Sequence, residues 1–124
     1  MKKEKILITG SSGYIGSCLS SYLKYANNVF YLDIKKPNIW NKKQIKNYFQ
    51  CDLLDKKKLK KILLNIKPST IIHLAAQSTV NQKIKKNNYE LNNVQATKNL
   101  LFLMDELKIK KIIFSSTASV YDKS

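Results

Sequence analysis

Short apolar runs alternate along this chain with longer stretches in which apolar residues recur at helical spacing. Ile6-Leu7-Ile8 reads as a buried strand. Tyr14 to Tyr25 then predicts a helix with Ile15, Leu19, Tyr22 and Leu23 on its inward face. Val29-Phe30-Tyr31-Leu32 is a second strand, ending at Asp33. Residues 35–47 are polar, carry Pro37 and the single tryptophan, and read as a variable loop or short turn. Tyr48 to Cys51 is a third short strand. Asp55 is placed to cap a helix over 56–66 whose face is Leu59, Ile62, Leu63 and Ile66, with Pro68 stopping it. Thr70 to His73 is a fourth strand. Residues 88–107 predict a long helix with Leu91, Val94, Leu100, Leu101, Met104 and Leu107 inward, and Lys111 to Phe114 is a fifth strand.

The strands are continuously apolar rather than alternating, and helical stretches intervene. That combination predicts an α/β fold with a parallel sheet covered on both faces. The commonest solution is a Rossmann-type doubly wound sheet of five strands in the order 3-2-1-4-5. One domain over 1–124 is expected, since this length supports a single core.

Apolar residues make up 44% and charged residues 25%, an ordinary globular balance. No run approaches the roughly 18 apolar residues of a membrane span. The apolar run after Met1-Lys2-Lys3-Glu4-Lys5 is too short for a signal-peptide core, so a cytoplasmic location with no membrane partner is expected. Cys18 and Cys51 lack metal-ligand spacing and read as two small buried thiols; no metal site is expected. The formal net charge is +15, yet all 23 basic residues are lysine. Without arginine the bidentate contacts to bases and phosphates are missing, so the charge reads first as solvated surface and no specific nucleic acid is expected.

The sharpest chemical signal is Thr9-Gly10-Ser11-Ser12-Gly13-Tyr14-Ile15-Gly16, between the first strand and the first helix. It holds all three glycines of the chain. Gly10 permits a tight turn, Gly13 lets the main chain approach a diphosphate, and Gly16 lets the helix pack on the strand. Free amides and the positive end of the helix dipole then face the phosphates. A ligand-free strand-to-helix turn would use similar glycines. The acid at the tip of the second strand tips the balance: Asp33 lies 17 residues past Gly16, placed to accept both ribose hydroxyls of an adenosine and to repel a 2′-phosphate. This favours NAD, while Lys35 and Lys36 leave some room for NADP.

These glycines after a threonine resemble the extended short-chain dehydrogenases, the NAD-dependent epimerase/dehydratase family. Further segments agree in order: Cys51-Asp52-Leu53, Ile72-His73-Leu74-Ala75-Ala76-Gln77, Asn92-Asn93-Val94-Gln95-Ala96-Thr97, and Phe114 to Tyr121. Within the family the likeness is to sugar-nucleotide enzymes of the UDP-glucose 4-epimerase kind. Departures are Ala96 where the family has glycine, Cys18 where histidine is frequent, and Asp122 where glycine follows the Val-Tyr pair.

The resemblance implies a cofactor-binding set: Gly10, Ser12, Gly13, Tyr14, Ile15 and Gly16 in the loop, Asp33, Asp52 and Leu53, Leu74, Ala75 and Ala76, Asn93 and Ser115. Asp52 would hold the adenine amino group. Ala75 and Ala76 are small enough for a cofactor to cross them, or for tight packing. Asn93 matches a structural asparagine of the family, and equally suits a polar place near a helix start. Thr117 matches a catalytic hydroxyl that bonds the sugar oxygen, though a capping role would suit it too, and Ser115 and Ser116 could share its task. His73, the lone histidine, reads as structural. The family's Tyr-x-x-x-Lys, in which lysine lowers the tyrosine pKa from about 10 toward neutrality, lies some tens of residues after strand five, and this chain ends at Ser124. The expectation is an N-terminal portion, inactive alone and marginally stable because strand five is an unpaired apolar edge. The implied partner is a sugar nucleotide, with a homodimer possible in the full-length family. A non-catalytic NAD-binding regulatory module is the alternative, and a basic nucleic-acid binder the third reading.

Overall fold

A computed structural model of the chain describes residues 4–37, 40–74 and 86–115, without the side chains of 86–90 and 92. Five parallel strands, β1 (Ile6–Thr9), β2 (Val29–Asp33), β3 (Tyr48–Gln50), β4 (Thr70–His73) and β5 (Lys111–Phe114), lie in the order β3-β2-β1-β4-β5. The order is the one expected. Four helices, α1 (Tyr14–Tyr22), α2 (Lys42–Lys46), α3 (Lys56–Ile66) and α4 (Lys86–Glu106), complete the described elements. Thr9 stands level with Leu32 on one side and His73 on the other, so the carboxyl ends of β1, β2 and β4 form one edge.

Side chains alternate across a strand, and here both faces are dry. Leu7, Leu32 and Ile71 point into one core with Leu59, Leu63, Leu100 and Leu103 of α3 and α4. Their neighbours Ile8 and Tyr31 point into the other, against Leu19, Leu23, Trp40 and Tyr48, with α1 outside. This accounts for strands apolar at every position.

α3 matches the expected range, because its start and stop signals both act. Asp55 accepts the Lys58 amide at 3.2 Å, and Lys67 closes the helix in the left-handed region at φ 55° before Pro68. Lys60 and Glu106 join α3 to α4 at 2.9 Å.

Elsewhere the expectations need correction. α1 ends at Tyr22 rather than Tyr25, and Ile15 and Tyr22 are exposed, whereas Gly16 and Ser20 are buried. Leu19 and Leu23 of the expected face do pack against the second core, but where the helix passes the β1 turn it buries the small residues Gly16 and Ser20. Cys18 is exposed as well; only Cys51 is buried. The polar stretch 35–47 contains α2, started by a reciprocal capping box between Asn41 and Gln44. β3 stops at Gln50 rather than Cys51. α4 begins at Lys86 and ends at Glu106, and it buries Ala96, Asn99, Leu100, Leu103 and Met104; Leu91, Val94 and Leu101 face outward. Among the described residues β5 is an edge strand with Ile113 and Phe114 exposed.

Candidate functional site at the carboxyl edge of the sheet

The order reverses between β1 and β4, and in open α/β sheets ligands bind outside the strand ends at such a point. The glycine loop lies there. Gly10 has φ 74°, a conformation that disfavours any side chain. Its amide and that of Ser11 both donate to the Leu32 carbonyl, tying the turn to β2. A Cβ on Gly16 would lie 2.0 Å from the Gly10 carbonyl oxygen, so no other residue fits. Gly13 differs. Among the described residues, a Cβ there would meet nothing closer than the Gly10 oxygen at 3.5 Å, an ordinary contact, and its φ is −76°. Packing therefore does not require glycine at 13. What a side chain would occupy is the space in front of the loop.

That space is lined by donors. The first bond of the α1 ladder runs from the Ser17 amide to the Gly13 carbonyl at 2.7 Å. The amides of Tyr14, Ile15 and Gly16 come before it and have no acceptor in the helix. The first turn contains no acidic residue and Gly13 offers no capping side chain, so neither offsets the positive end of the helix dipole.

Asp33 stands beside this loop and is fixed by it. Its Oδ2 accepts the Ser12 amide at 2.9 Å and its Oδ1 accepts the Lys35 amide at 3.0 Å. Each oxygen retains a further lone pair for a hydroxyl. The turn after Asp33 is braced by side chains whose role the strand pattern does not disclose. The Tyr48 hydroxyl donates to the carbonyls of Asp33 and Lys35, and Gln50 Nε2 donates to the Ile34 carbonyl at 2.9 Å. Burial, with the nearby Asp33 charge adding to it, pushes the Tyr48 hydroxyl pKa up to about 12, so it remains a donor.

Across the edge, the Cys51 amide bonds the Asp33 carbonyl at 2.9 Å, which brings Asp52 level with the β2 tip. Asp52 is exposed, with Oδ1 accepting the Leu54 amide at 2.9 Å. Leu53 turns its side chain into the core, and Asn99 Nδ2 holds its carbonyl at 2.9 Å. Leu53 thus has only main chain to offer a ligand. His73 is a buried rivet: Nδ1 lies 2.7 Å from Thr9 Oγ1 and Nε2 lies 3.1 Å from Thr97 Oγ1. Desolvation lowers its pKa to about 4. A ring so engaged on both nitrogens holds β1, β4 and α4 together and leaves no nitrogen for substrate. Thr97 is a partner that the sequence does not single out. Leu74 follows, half-buried, its amide on the Thr9 carbonyl at 3.0 Å. Ser115, half-buried, bonds the His73 carbonyl through its amide at 3.3 Å, and Asn93 is half-buried on α4. Ala75, Ala76 and Thr117 lie outside the described residues.

Comparison with known proteins gives a consistent picture. The profile of the NAD dependent epimerase/dehydratase family matches residues 6–124. UDP-glucose 4-epimerase of Mycoplasma genitalium is 35% identical over 131 residues, covering 98% of this chain and 38% of its own length. A crystal structure of a UDP-glucose 4-epimerase superposes with a TM-score of 0.82 at 33% identity, over 97% of this chain and 37% of that one. The enzyme from Bifidobacterium longum, solved in complex with NAD+ and UDP, gives a TM-score of 0.79 at 26% identity, over 94% and 38%. The chain therefore spans little more than a third of the length of these relatives.

Proposed function

This chain belongs to the NAD dependent epimerase/dehydratase family, and from that membership we propose that it binds NAD and forms the cofactor-binding portion of an enzyme acting on a nucleotide-linked sugar. The observation that carries this reading is Gly13, a glycine that the fold does not need and a diphosphate does. The amides of Tyr14, Ile15 and Gly16 receive the diphosphate, with Gly10 setting the turn. Ser12 positions Asp33, which accepts the adenosine ribose hydroxyls and disfavours a 2′-phosphate. Asp52 takes the adenine amino group and Leu53 borders it through its main chain. Leu74, Ala75 and Ala76 flank the cofactor along the end of β4, and Asn93 and Ser115 stand toward its nicotinamide half. When bound, the cofactor supplies a hydride acceptor for a sugar carbon. Thr117 is assigned to the sugar oxygen on the family resemblance alone.

Calorimetric titration of the chain with NAD and NADP tests the cofactor assignment. NAD is expected to bind at least tenfold tighter, and Asp33→Asn to erase most of that preference. Absence of saturable NAD binding to a chain that circular dichroism shows to be folded would refute it.

A further inference from the structure

We propose that a cleft between α1 and the β2–α2 segment is a second ligand site, one for a nucleoside phosphate, separate from the diphosphate loop. The cleft has a volume of about 710 Å3, within the size range of small-molecule sites. It touches the loop at Ser12 and then runs back along the outer flank of α1, away from the sheet edge, past Ser17 and Ser21 to Lys24 and Tyr25. Ser17 and Lys24 are seven residues apart, about 10 Å along the chain axis.

Its chemistry is one-sided. Among the described residues, Lys24, Lys35 and Lys36 line it and no aspartate or glutamate does. Asp33, the acid nearest in sequence to Lys35, is engaged by the amides of Ser12 and Lys35. Ser17 and Ser21 stand one turn apart on the same exposed flank and add hydroxyl donors. Ser17, Ser21 and Lys24 on the α1 side, with Lys35 and Lys36 across from them, offer hydroxyls and ammonium groups to a phosphate chain. The side that holds Lys35 and Lys36 also carries Trp40, whose ring is fixed by Tyr31 at a centroid distance of 4.8 Å and by Tyr48 at 5.5 Å. Beneath it Gln44 is buried, with its amide committed to the Ser20 carbonyl at 2.8 Å, so the floor is firm. A braced aromatic ring in a cationic cleft favours a flat base over a bare anion.

Trp40 is the only tryptophan, so its emission reports this cleft directly. The chain is first saturated with NAD, which fills the loop, and then titrated with ATP, with adenosine and with inorganic triphosphate. ATP is expected to change Trp40 emission saturably, with adenosine and triphosphate each at least tenfold weaker. Lys24→Ala combined with Ser21→Ala should weaken ATP at least tenfold and leave NAD affinity within twofold by calorimetry. The proposal is overturned by an absent ATP response, by an unchanged response in the double variant, by loss of the response as NAD is raised, or by adenosine or triphosphate binding as tightly as ATP. Repeating the ATP titration without NAD on wild type and double variant keeps the answer separate. A chain that fails to bind NAD but shows the lysine-dependent ATP response retains this site and loses the function proposed above.

Discussion

The Nδ1 atom of His73 lies 2.7 Å from the Thr9 hydroxyl, and the second ring nitrogen meets Thr97, so the only histidine of the chain is held neutral between two threonines. Its pKa falls from 6.5 to about 4 because burial penalises the charged ring. The unfolded chain therefore binds more protons than the folded one between these values. Stability should be complete above pH 6.5, decline as pH falls toward 4, and level off for this group below that. The full loss is about 3 kcal/mol. Urea unfolding of wild type and His73→Asn at several pH values isolates this contribution from the carboxylates, and equal slopes for the two proteins would contradict the assignment.

The three glycines separate into fold and function. Gly16→Ala places a methyl 2.0 Å from the Gly10 carbonyl and should cost about 3 kcal/mol or more, visible as a large drop in melting temperature. Gly13→Ala should melt within a few degrees of wild type and yet bind NAD at least tenfold more weakly. A Gly13→Ala chain with unaltered NAD affinity would remove the main support for the diphosphate site.

Tyr48→Phe deletes the hydroxyl that braces the carbonyls of Asp33 and Lys35. A hydrogen bond of this kind contributes about 1 kcal/mol net, so NAD affinity is expected to fall about fivefold as the carboxylate loses its fixed position. Calorimetry on this variant reads the effect without touching any group assigned to the cofactor.

The two thiols should react very differently. Cys18 is exposed, whereas Cys51 is buried and its pKa is raised to about 11, chiefly by desolvation. At neutral pH one equivalent of a disulfide reagent should react rapidly and the second only on unfolding. Mass spectrometry of the first adduct should place it on Cys18.

Strand order and the loop were legible because β-strands dry on both faces and a glycine-rich turn leave unmistakable marks. The inward face of α3 was legible too, since Leu59, Ile62, Leu63 and Ile66 are all buried, but those of α1 and α4 could be read only in part. α1 buries Gly16 and Ser20 because it passes so close to the loop, which defeats a search for large apolar residues. α4 carries apolar residues around its circumference, with Leu100 and Leu103 buried while Leu101 and Phe102 are exposed, so spacing alone does not choose a face. α2 is short and polar, and its only trace in sequence is the Asn41-x-x-Gln44 cap. At the site, Gly10, Gly16 and Asp33 could be read directly. The braces Tyr48, Gln50 and Thr97 could not, because their role depends on strand register and on carbonyls distant in the chain.

Asp33 is both a strut and a candidate ligand: the carboxylate that would select the ribose also anchors the Ser12 amide. Retargeting this chain to a 2′-phosphorylated cofactor thus cannot proceed by exchanging that acid for a residue with no acceptor oxygen. Any successful redesign must supply a new acceptor for the orphaned amide in the same step, which couples the evolution of cofactor choice here to the shape of the neighbouring turn.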